Sequence, residues 1–123
     1  MDFSSCPCSG VNLARYLYPA ILATLLDGPR HGYSILKSVS GSRFFSQNPP
    51  DPTGLYRTLN KMESEGLLQT SREVEKTQKK VYSLTERGRH CLGEWIETLT
   101  AHQAYLADFT DFLRAQTRQA ATE

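Results

Sequence analysis

Residues 49–68 read PPDPTGLYRTLNKMESEGLL, and this stretch separates apolar from polar side chains at helical spacing. Leu55, Leu59 and Met62 recur at intervals of four and three residues, which predicts the buried face of a short helix. The other face carries polar side chains rich in hydrogen-bond donors: Thr53, Arg57, Asn60, Lys61 and Ser64. Such a helix is expected to pack against a core on one side and to present its donors outward.

The ends of this helix are marked by residues that suit them. Asp51 can cap the free amides at its start, and Pro52 loses nothing by lacking an amide hydrogen at the first helical position. Gly66 is expected to end the helix. Gly54 is unusual, because glycine inside a helix costs about 1 kcal/mol relative to alanine. Either another backbone approaches closely at Gly54, or the helix begins only at Leu55.

The composition is that of one ordinary domain, with 123 residues of which 39% are hydrophobic and 22% charged. No run approaches the roughly 18 apolar residues of a membrane span, and the first residues lack the basic and apolar regions of a signal peptide. We therefore expect a cytoplasmic protein without membrane association. Cys6, Cys8 and Cys91 are too few, and odd in number, for a disulfide scaffold, and are expected to be reduced thiols.

Charge is distributed unevenly along the chain, although the net charge is only +1. Residues 11–92 contain twelve Lys and Arg against seven Asp and Glu, whereas residues 93–123 contain two against five. A basic first part with an acidic tail indicates a polyanion-binding region joined to a region with another role.

Two helices are predicted before residues 49–68. Apolar residues recur over 17–26 and predict the first helix, which residues 27–29 end. The second helix ends at Gly41, and its predicted apolar side consists of Tyr33, Ile35, Leu36 and Val39. In the connection that follows, Phe44 and Phe45 are expected to cover the core.

After Gly66 the apolar period falls toward two, which predicts two short strands around a turn at residues 75–78. The apolar positions of this hairpin are Leu68, Val74, Val81 or Tyr82, and Leu84. Its tip and flank carry Lys76, Lys79 and Lys80. The hairpin is therefore predicted to be basic.

Thr85 and Glu86 predict the start of a last helix, which runs to about residue 117. Its apolar positions follow the a and d sites of a heptad repeat: Leu92, Trp95, Leu99, His102, Leu106, Phe109 and Leu113. Such a helix is about 48 Å long, whereas the preceding residues should form a body about 30 Å across. We therefore predict a homodimer formed largely through this helix. The alternative is that the stripe packs on its own domain.

Three helices followed by a basic hairpin is the element order of a winged helix-turn-helix domain. The predicted fold class is mainly α with a small β-hairpin, extended by a long C-terminal dimerisation helix. In a winged helix the third helix lies in the DNA major groove and the hairpin contacts the backbone beside it. The predicted divisions are a flexible leader at 1–12, a DNA-binding domain at 13–84 and the dimerisation helix at 85–123.

On this interpretation the third helix and the hairpin form one DNA-binding surface. Arg57 and Asn60 are residue types that read guanine and adenine edges, while Thr53 and Lys61 suit phosphate. Close approach of a DNA backbone would explain Gly54. The hairpin lysines add phosphate contacts: Lys76, Lys79 and Lys80. Two alternatives remain open: an ordinary solvated helix face, and a winged-helix module that binds another protein.

Four separated motifs extend the argument beyond these elements: HGY at 31–33, GLY at 54–56 followed by Leu59, EGLL at 65–68 and VYSLTERG at 81–88. Together they resemble the motifs of the PadR family of bacterial transcription regulators. The resemblance implies a dimeric winged-helix repressor that binds double-stranded DNA and is released by a small molecule or another signal. It implies that the recognition helix carries Tyr56, Arg57, Asn60 and Lys61 and that the wing carries residues 76–80.

The chain also departs from the usual family pattern. Its wing lacks the glycine-rich tip that is common in the family, and its single long tail helix resembles that of the shorter members. The start at Asp51 and Pro52, the LYRTL motif at 55–59 and Trp95 are most similar to regulators that respond to polyhydroxybutyrate.

Trp95 is the only tryptophan and lies on the predicted dimer stripe. In a dimer its two copies could line a cleft where a planar aromatic ligand stacks; the alternative is interface packing. Cys6 and Cys8, completed by Cys91 or His90, could serve a metal or a redox signal, but two thiolates do not make a structural zinc site. No catalytic triad, carboxylate pair or phosphate loop stands out, so we predict neither an enzyme nor a cofactor.

Overall fold

The computed structural model describes residues 16–72 and 79–122. The elements, in chain order, are α1 (Leu17–Thr24) with a 3₁₀ turn (Leu25–Asp27), β1 (Arg30–His31), α2 (Gly32–Gly41), α3 (Pro52–Ser64), β2 (Leu68–Arg72), β3 (Lys80–Leu84) and α4 (Glu86–Thr122). The predicted winged helix with a long C-terminal helix is thereby confirmed. The described residues up to Leu92 form one compact unit, and those from Gly93 onward form another.

The core of the first unit lies where α1, α2 and α3 meet the sheet. Its fully buried side chains are Ile21, Leu22, Leu25, Ile35, Leu55, Leu59, Met62 and Leu68. The three residues predicted as the buried face of α3 are all among them, each with no exposed surface. Burying such a side chain contributes about 1.5–3 kcal/mol, so this face fixes the orientation of α3 and turns its polar side outward.

Helix α3 begins and ends with the local structures that the sequence predicts. The Oδ2 atom of Asp51 accepts a hydrogen bond from the amide of Gly54 at 3.1 Å, and Pro52 occupies the first turn. At the other end Gly66 has a φ of +80°, and the amide of Leu67 donates to the carbonyl of Met62 at 3.0 Å. This is the hydrogen-bond pattern of a Schellman motif, which satisfies the last carbonyls of a helix.

The sheet has three antiparallel strands in the order β1, β3, β2. Strand β3 pairs with β2 over its whole length, from Leu68 opposite Leu84 to Arg72 opposite Lys80. Its other edge pairs with β1, where Arg30 lies opposite Tyr82. The prediction of two strands was therefore incomplete, because a two-residue strand such as β1 has no period that a sequence pattern can reveal. Val74 and the predicted turn at 75–78 lie outside the described residues.

Two aromatic residues were wrongly assigned to the core. Tyr33 is 62% exposed. It precedes Ile35 by two residues, which places the two side chains on opposite sides of a helix with 3.6 residues per turn. Phe45 is buried as predicted, but its neighbour Phe44 is 63% exposed. The centre of the Phe44 ring lies 4.9 Å from Cζ of the Arg43 guanidinium. Adjacent residues in this irregular segment point in different directions.

Helix α4 starts at the predicted position and extends beyond the predicted end at 117. The hydroxyl of Thr85 accepts a hydrogen bond from the amide of Gly88 at 3.0 Å and lies 2.9 Å from the carbonyl oxygen of Leu67, to which it can donate. Gly88 passes so close to Leu67 that a Cβ atom there would meet the Leu67 carbonyl oxygen. The first turn of α4 is therefore fixed against the segment that ends α3. No helix among residues 16–72 and 79–122 is long and apolar enough to cross a membrane.

Candidate nucleic-acid interface

The outward face of α3, defined by Thr53, Arg57, Asn60, Lys61 and Ser64, is exposed to solvent. The side chains of Arg57, Asn60 and Lys61 make no hydrogen bond or ion pair with any residue that the structure describes. Each therefore keeps its full donor capacity for a partner: a fork of N–H groups on Arg57, an amide on Asn60 and an ammonium on Lys61. Arginine and asparagine can form paired hydrogen bonds with base edges, whereas an ammonium acts as a point charge.

Two further residues at the start of α3, Gly54 and Tyr56, have surroundings unlike those of the outward face. Tyr56 is 38% exposed, and its ring lies against α2, where a Cβ atom on Gly32 would come within 2.5 Å of Tyr56 Cε1. Gly54 lies inside the helix, so the interpretation that α3 begins only at Leu55 was wrong. Among the described residues, a Cβ atom on Gly54 would meet only Asp51, at the ordinary distances of 3.8 and 3.9 Å. Packing against residues 16–72 and 79–122 therefore does not require glycine at this position.

The wing is linked to α3 through one carboxylate. Lys80 Nζ lies 3.0 Å from Glu63 Oε1, and the Thr70 hydroxyl donates to Glu63 Oε2 at 2.7 Å. The hydrogen bonds from Thr70 and Lys80 hold the pKa of Glu63 below its ordinary value, and the hydrogen bond to Glu63 raises the pKa of Lys80. Glu63 lies on α3, Thr70 on β2 and Lys80 on β3, so this single group joins the helix to both wing strands.

The three wing lysines of the predicted site thus have different surroundings. Lys80 is engaged with Glu63 and also lies 5.4 Å from the centre of the Tyr82 ring. Lys79 is exposed, and its side chain has no polar partner among residues 16–72 and 79–122. Lys76 lies outside the described residues. Of the two described wing lysines, Lys79 is therefore the one whose ammonium is not engaged by another described residue.

A cleft lies between the start of α2, α3 and the wing. We call it the tyrosine cleft; it has a volume of about 540 Å³ and is lined by His31, Gly32, Tyr33, Tyr56, Lys79, Lys80 and Tyr82. Tyr82 is buried, and this burial raises its pKa. The sequence analysis identified the motif at 31–33 but assigned Tyr33 to the core, and it placed Tyr82 on a strand and in the motif at 81–88. The cleft depends on pairing between β1 and β3, which local patterns do not show.

Further contacts join the helices of this unit to one another. The Tyr18 hydroxyl donates to Glu65 Oε1 at 2.6 Å, which joins α1 to the end of α3, and burial together with Glu65 raises the pKa of Tyr18. Arg30 donates from Nε to the carbonyl of Thr24 at 3.2 Å and from Nη1 to the hydroxyl of Ser34 at 3.2 Å. The sequence analysis predicted none of these three contacts, and the one between Tyr18 and Glu65 joins residues that only the tertiary fold brings together.

The second unit contains the part of α4 from Gly93 onward. On the predicted stripe Leu106, Phe109 and Leu113 are each between 45% and 48% exposed. Tyr105 and Phe112, which were not predicted, add two exposed rings beside them. Ring centres follow one another along the helix from His102 to Tyr105, Phe109 and Phe112 at 5.9, 6.0 and 6.3 Å. Contiguous exposed apolar surfaces of this kind are typical of interaction sites.

Of the other predicted stripe residues, Leu92, Trp95 and Leu99 are half-buried and His102 is exposed. Cys91 is a half-buried free thiol, while Cys6 and Cys8 lie outside the described residues together with the whole predicted leader. Among the described residues no group of three or more His, Cys, Asp or Glu side chains could hold a metal ion.

Comparison with known proteins gives a family and a set of similar folds. A family model described as "Transcriptional regulator PadR-like family" matches residues 21–94. No curated protein sequence matches significantly. A transcriptional regulator from Clostridium thermocellum is 20% identical with a TM-score of 0.71, covering 80% of this chain and 96% of that one. A PadR family transcription regulator from Clostridium difficile R20291 is 24% identical with a TM-score of 0.65, covering 76% and 97%.

One similar structure contains nucleic acid. Bacillus subtilis PadR, in complex with operator DNA, is 29% identical to this chain with a TM-score of 0.58. The match covers 67% of this chain and 46% of that one.

Proposed function

The chain belongs to the PadR-like family of transcriptional regulators, and from this premise we propose that it binds specific DNA sites as a homodimer. The family is one of regulators, so the chain is a regulator and not an enzyme. We further propose that it acts in the cytoplasm as a repressor on an inverted repeat. A two-fold dimer matches a palindromic site whose half-sites are about one helical turn, 34–36 Å, apart.

One observation carries the proposal: Arg57, Asn60 and Lys61 lie together on α3 with no polar partner in the described part of the chain. Other cations of the same unit are engaged, Arg30 by Thr24 and Ser34, and Lys80 by Glu63. A helix whose apolar side is fully buried and whose donors stay unengaged is suited to an external acceptor. The similar Bacillus subtilis PadR in complex with operator DNA supports a double-stranded DNA partner.

We assign the contacts by chemistry. Arg57 and Asn60 read guanine and adenine edges in the major groove. Thr53 and Lys61 bind phosphate, and the DNA backbone approaches Gly54, where the described residues leave room for a Cβ atom. Tyr56 borders the same surface. The wing adds Lys76, Lys79 and Lys80, of which Lys80 acts while paired with Glu63.

We propose that dimerisation uses the stripe on α4. Its predicted members are Leu92, Trp95, Leu99, His102, Leu106, Phe109 and Leu113, to which Tyr105 and Phe112 are added here. A second copy would bury the exposed leucines and rings. Release from DNA by a small molecule is also proposed, with Trp95 as part of the effector site. Whether the chain responds to polyhydroxybutyrate, as the sequence suggests, stays a prediction.

The experiment is selection of binding sites from random duplexes with the full chain, followed by titration of the selected duplex at several salt concentrations. We expect a symmetric motif, and an affinity that falls by several orders of magnitude between about 50 and 200 mM salt. The variant Arg57→Ala should weaken binding by about 1–3 kcal/mol and relax the choice of one base in each half-site. Recovery of no motif, with no salt-dependent binding, would instead favour a winged-helix module that binds protein.

A further inference from the structure

We propose that a cavity between the start of α1 and the start of α3 binds a small molecule that joins an apolar body to an ammonium group, with Asp51 holding the ammonium. We call it the proline cavity; it has a volume of about 300 Å³. The described residues that line it are Leu17, Phe45, Asn48, Pro49, Pro50 and Asp51. The lining includes neither the outward face of α3 nor Trp95, so this site is separate from those assigned above.

The walls of the proline cavity are apolar and are held in place by the chain. Leu17 and Phe45 are only 9% and 6% exposed, so both are anchored in the core. In the segment between α2 and α3, the amide of Phe45 donates to the carbonyl of Ser42 at 3.2 Å, and that of Asn48 to the carbonyl of Phe45 at 3.1 Å. Two consecutive prolines then restrict the backbone up to the cap of α3. Preformed apolar cavities with few polar groups are the usual form of small-molecule sites, because binding then orders little of the protein.

Two polar side chains of the lining are not fully used within the described part of the chain. The Oδ2 atom of Asp51 accepts from the amide of Gly54 at 3.1 Å, but the Asp51 side chain has no other polar partner among residues 16–72 and 79–122. The side-chain amide of Asn48 makes no hydrogen bond with a described residue. One oxygen of the Asp51 carboxylate therefore remains available for a donor.

The charge of the proline cavity favours a cation. Its described lining contains one carboxylate and no lysine, arginine or histidine. The start of α3 carries about half a positive charge from the helix dipole, which the full negative charge of Asp51 exceeds. A carboxylate that accepts from an ammonium forms a charge-assisted hydrogen bond, about twice as strong as one between neutral groups. The volume is at the lower limit for small-molecule sites, which suits a ligand with a single ring or a short chain.

Occupation of the proline cavity would act on α3 through its first turn. Asp51 is the N-cap of α3, and Thr53 and Gly54, proposed above to meet the DNA backbone, follow it within three residues. Its carboxylate therefore places a negative charge beside the phosphates of a bound duplex, which lowers affinity. An ammonium on the available oxygen neutralises that charge and leaves the cap in place, so the ligand should tighten DNA binding. This consequence rests on the proposed function, whereas the cavity and its class of ligand do not.

The test uses three probes that share a benzyl group and differ in its substituent: benzylamine, benzyl alcohol and phenylacetate. Binding to the full chain is followed by two-dimensional NMR, in which each backbone amide gives its own titration curve. Asp51→Asn is the decisive variant, because asparagine is an equally good helix cap but carries no charge. Asp27→Asn is the matched control, since Asp27 ends the 3₁₀ turn after α1, is exposed and does not line the cavity.

We expect benzylamine to bind with a dissociation constant on the order of 1 mM, as suits a ligand of so few atoms. The largest shifts should belong to residues 45–51 and the first turn of α3. Benzyl alcohol should bind there more weakly, and phenylacetate should cause no saturable shift. Asp51→Asn should weaken benzylamine binding about tenfold, the size of a lost hydrogen bond to a charged group, and should leave benzyl alcohol unaffected. Asp27→Asn should bind all three probes like the wild type.

The effect on DNA is measured with the selected duplex at constant ionic strength. Saturating benzylamine should raise the affinity of the wild type about two- to fivefold, the size of one charge neutralised near a phosphate at high dielectric constant. Asp51→Asn alone should raise affinity by a similar factor and should no longer respond to benzylamine.

Four outcomes would overturn the inference. Benzylamine could cause no saturable shift, its shifts could centre on α4 instead of residues 45–51, phenylacetate could bind there as tightly, or Asp51→Asn could bind benzylamine like the wild type. The comparison of probes on the wild type needs no variant, and thermal unfolding shows whether each variant keeps its fold. If the wild type selects no duplex, the proposed function fails while the NMR titrations still decide the cavity. If it selects a duplex and bound benzylamine leaves affinity unchanged, the coupling to α3 is refuted.

Discussion

Glu63→Gln tests whether the carboxylate that joins α3 to the wing serves DNA binding. The substitution keeps the size of the side chain and removes its charge. The amide oxygen of glutamine can still accept from Thr70, so the main loss is the ion pair with Lys80 at 3.0 Å. Both side chains are about one-third exposed, with relative values of 36% for Lys80 and 33% for Glu63. An ion pair at such a surface contributes about 0.2–1 kcal/mol, which is the expected loss in free energy of unfolding.

The pH dependence of that loss follows from the two pKa shifts. The pKa of Glu63 is lowered from 4.5, so its contribution is present above that value and disappears as pH falls through the lowered pKa. The pKa of Lys80 is raised from 10.5, so its contribution is present below that value and disappears as pH rises through the raised pKa. Wild type and variant should therefore differ most between these limits and converge in strong acid. Denaturant unfolding at fixed protein concentration measures the difference.

For DNA binding, two effects of Glu63→Gln oppose each other. Removing a negative charge near the duplex should strengthen binding, because repulsion of the phosphates falls. Freeing the wing from α3 should weaken binding, because wing and helix must then be ordered on the DNA. We expect the second effect to dominate, so that the variant binds the selected duplex more weakly despite its more positive charge.

Glu65→Gln is the matched control for this prediction. Glu65 follows the same helix end and makes an equally short hydrogen bond, but with Tyr18 of α1 instead of the wing, at 2.6 Å. Its loss of charge should leave DNA affinity unchanged or slightly higher. If Glu63→Gln strengthens binding as much as Glu65→Gln does, the reasoning is refuted: the link between Glu63 and Lys80 does not position the wing. A double-mutant cycle with Lys80→Met then measures the coupling directly.

Three further predictions concern other parts of the chain. Gly54→Ala should raise the free energy of unfolding by up to about 1 kcal/mol, because a Cβ atom there makes only ordinary contacts with the described residues. The same variant should bind DNA more weakly, and unaltered affinity would show that no DNA backbone approaches this site. Leu113→Asp replaces a leucine of the stripe, 48% exposed, by a charged residue and should give a monomer by light scattering. Thr110→Asp is the control on the same exposed helix. A dimer in the Leu113 variant would exclude the stripe as the interface. An aromatic effector bound at Trp95 should quench the tryptophan fluorescence and lower DNA affinity over the same concentration range; quenching without loss of affinity would separate Trp95 from release.

Local signals account for what the sequence predicted well. The start of α3 depends on Asp51 and Pro52, its buried face on three apolar residues within eight positions, and its end on Gly66, all within one short segment. Strand β1 escaped prediction because Arg30 pairs with Tyr82, far along the chain, and two residues show no periodicity. The same reason explains why the tyrosine cleft was missed: its lining residues come together only when the two strands pair.

Lys79 and Lys80 show why the candidate site could be predicted by residue type but not by role. The two are adjacent and chemically identical, and both were assigned to DNA. Strand β3 begins at Lys80, so Lys79 lies just outside it, and the two side chains meet different surroundings. Lys80 pairs with Glu63 on α3, whereas Lys79 has no polar partner in the described residues. Sequence spacing cannot decide which lysine is engaged, because the answer depends on the register between β3 and β2.

The cationic side chains of the first unit fall into two classes: those with a partner in the chain and those without one among the described residues. Arg30 and Lys80 are bound to partners within the chain, so removing either should lower the free energy of unfolding and reduce DNA affinity only through the position of α2 or the wing. Arg57, Lys61 and Lys79 have no such partner in the described ranges. Removing one of them should leave folding stability unchanged within about 0.5 kcal/mol. Comparing Arg30→Met with Arg57→Met in parallel unfolding and DNA titrations therefore measures whether the interface consists of those side chains that folding leaves unengaged. Equal losses of stability in the Arg30 and Arg57 variants would contradict this distinction between engaged and unengaged cations.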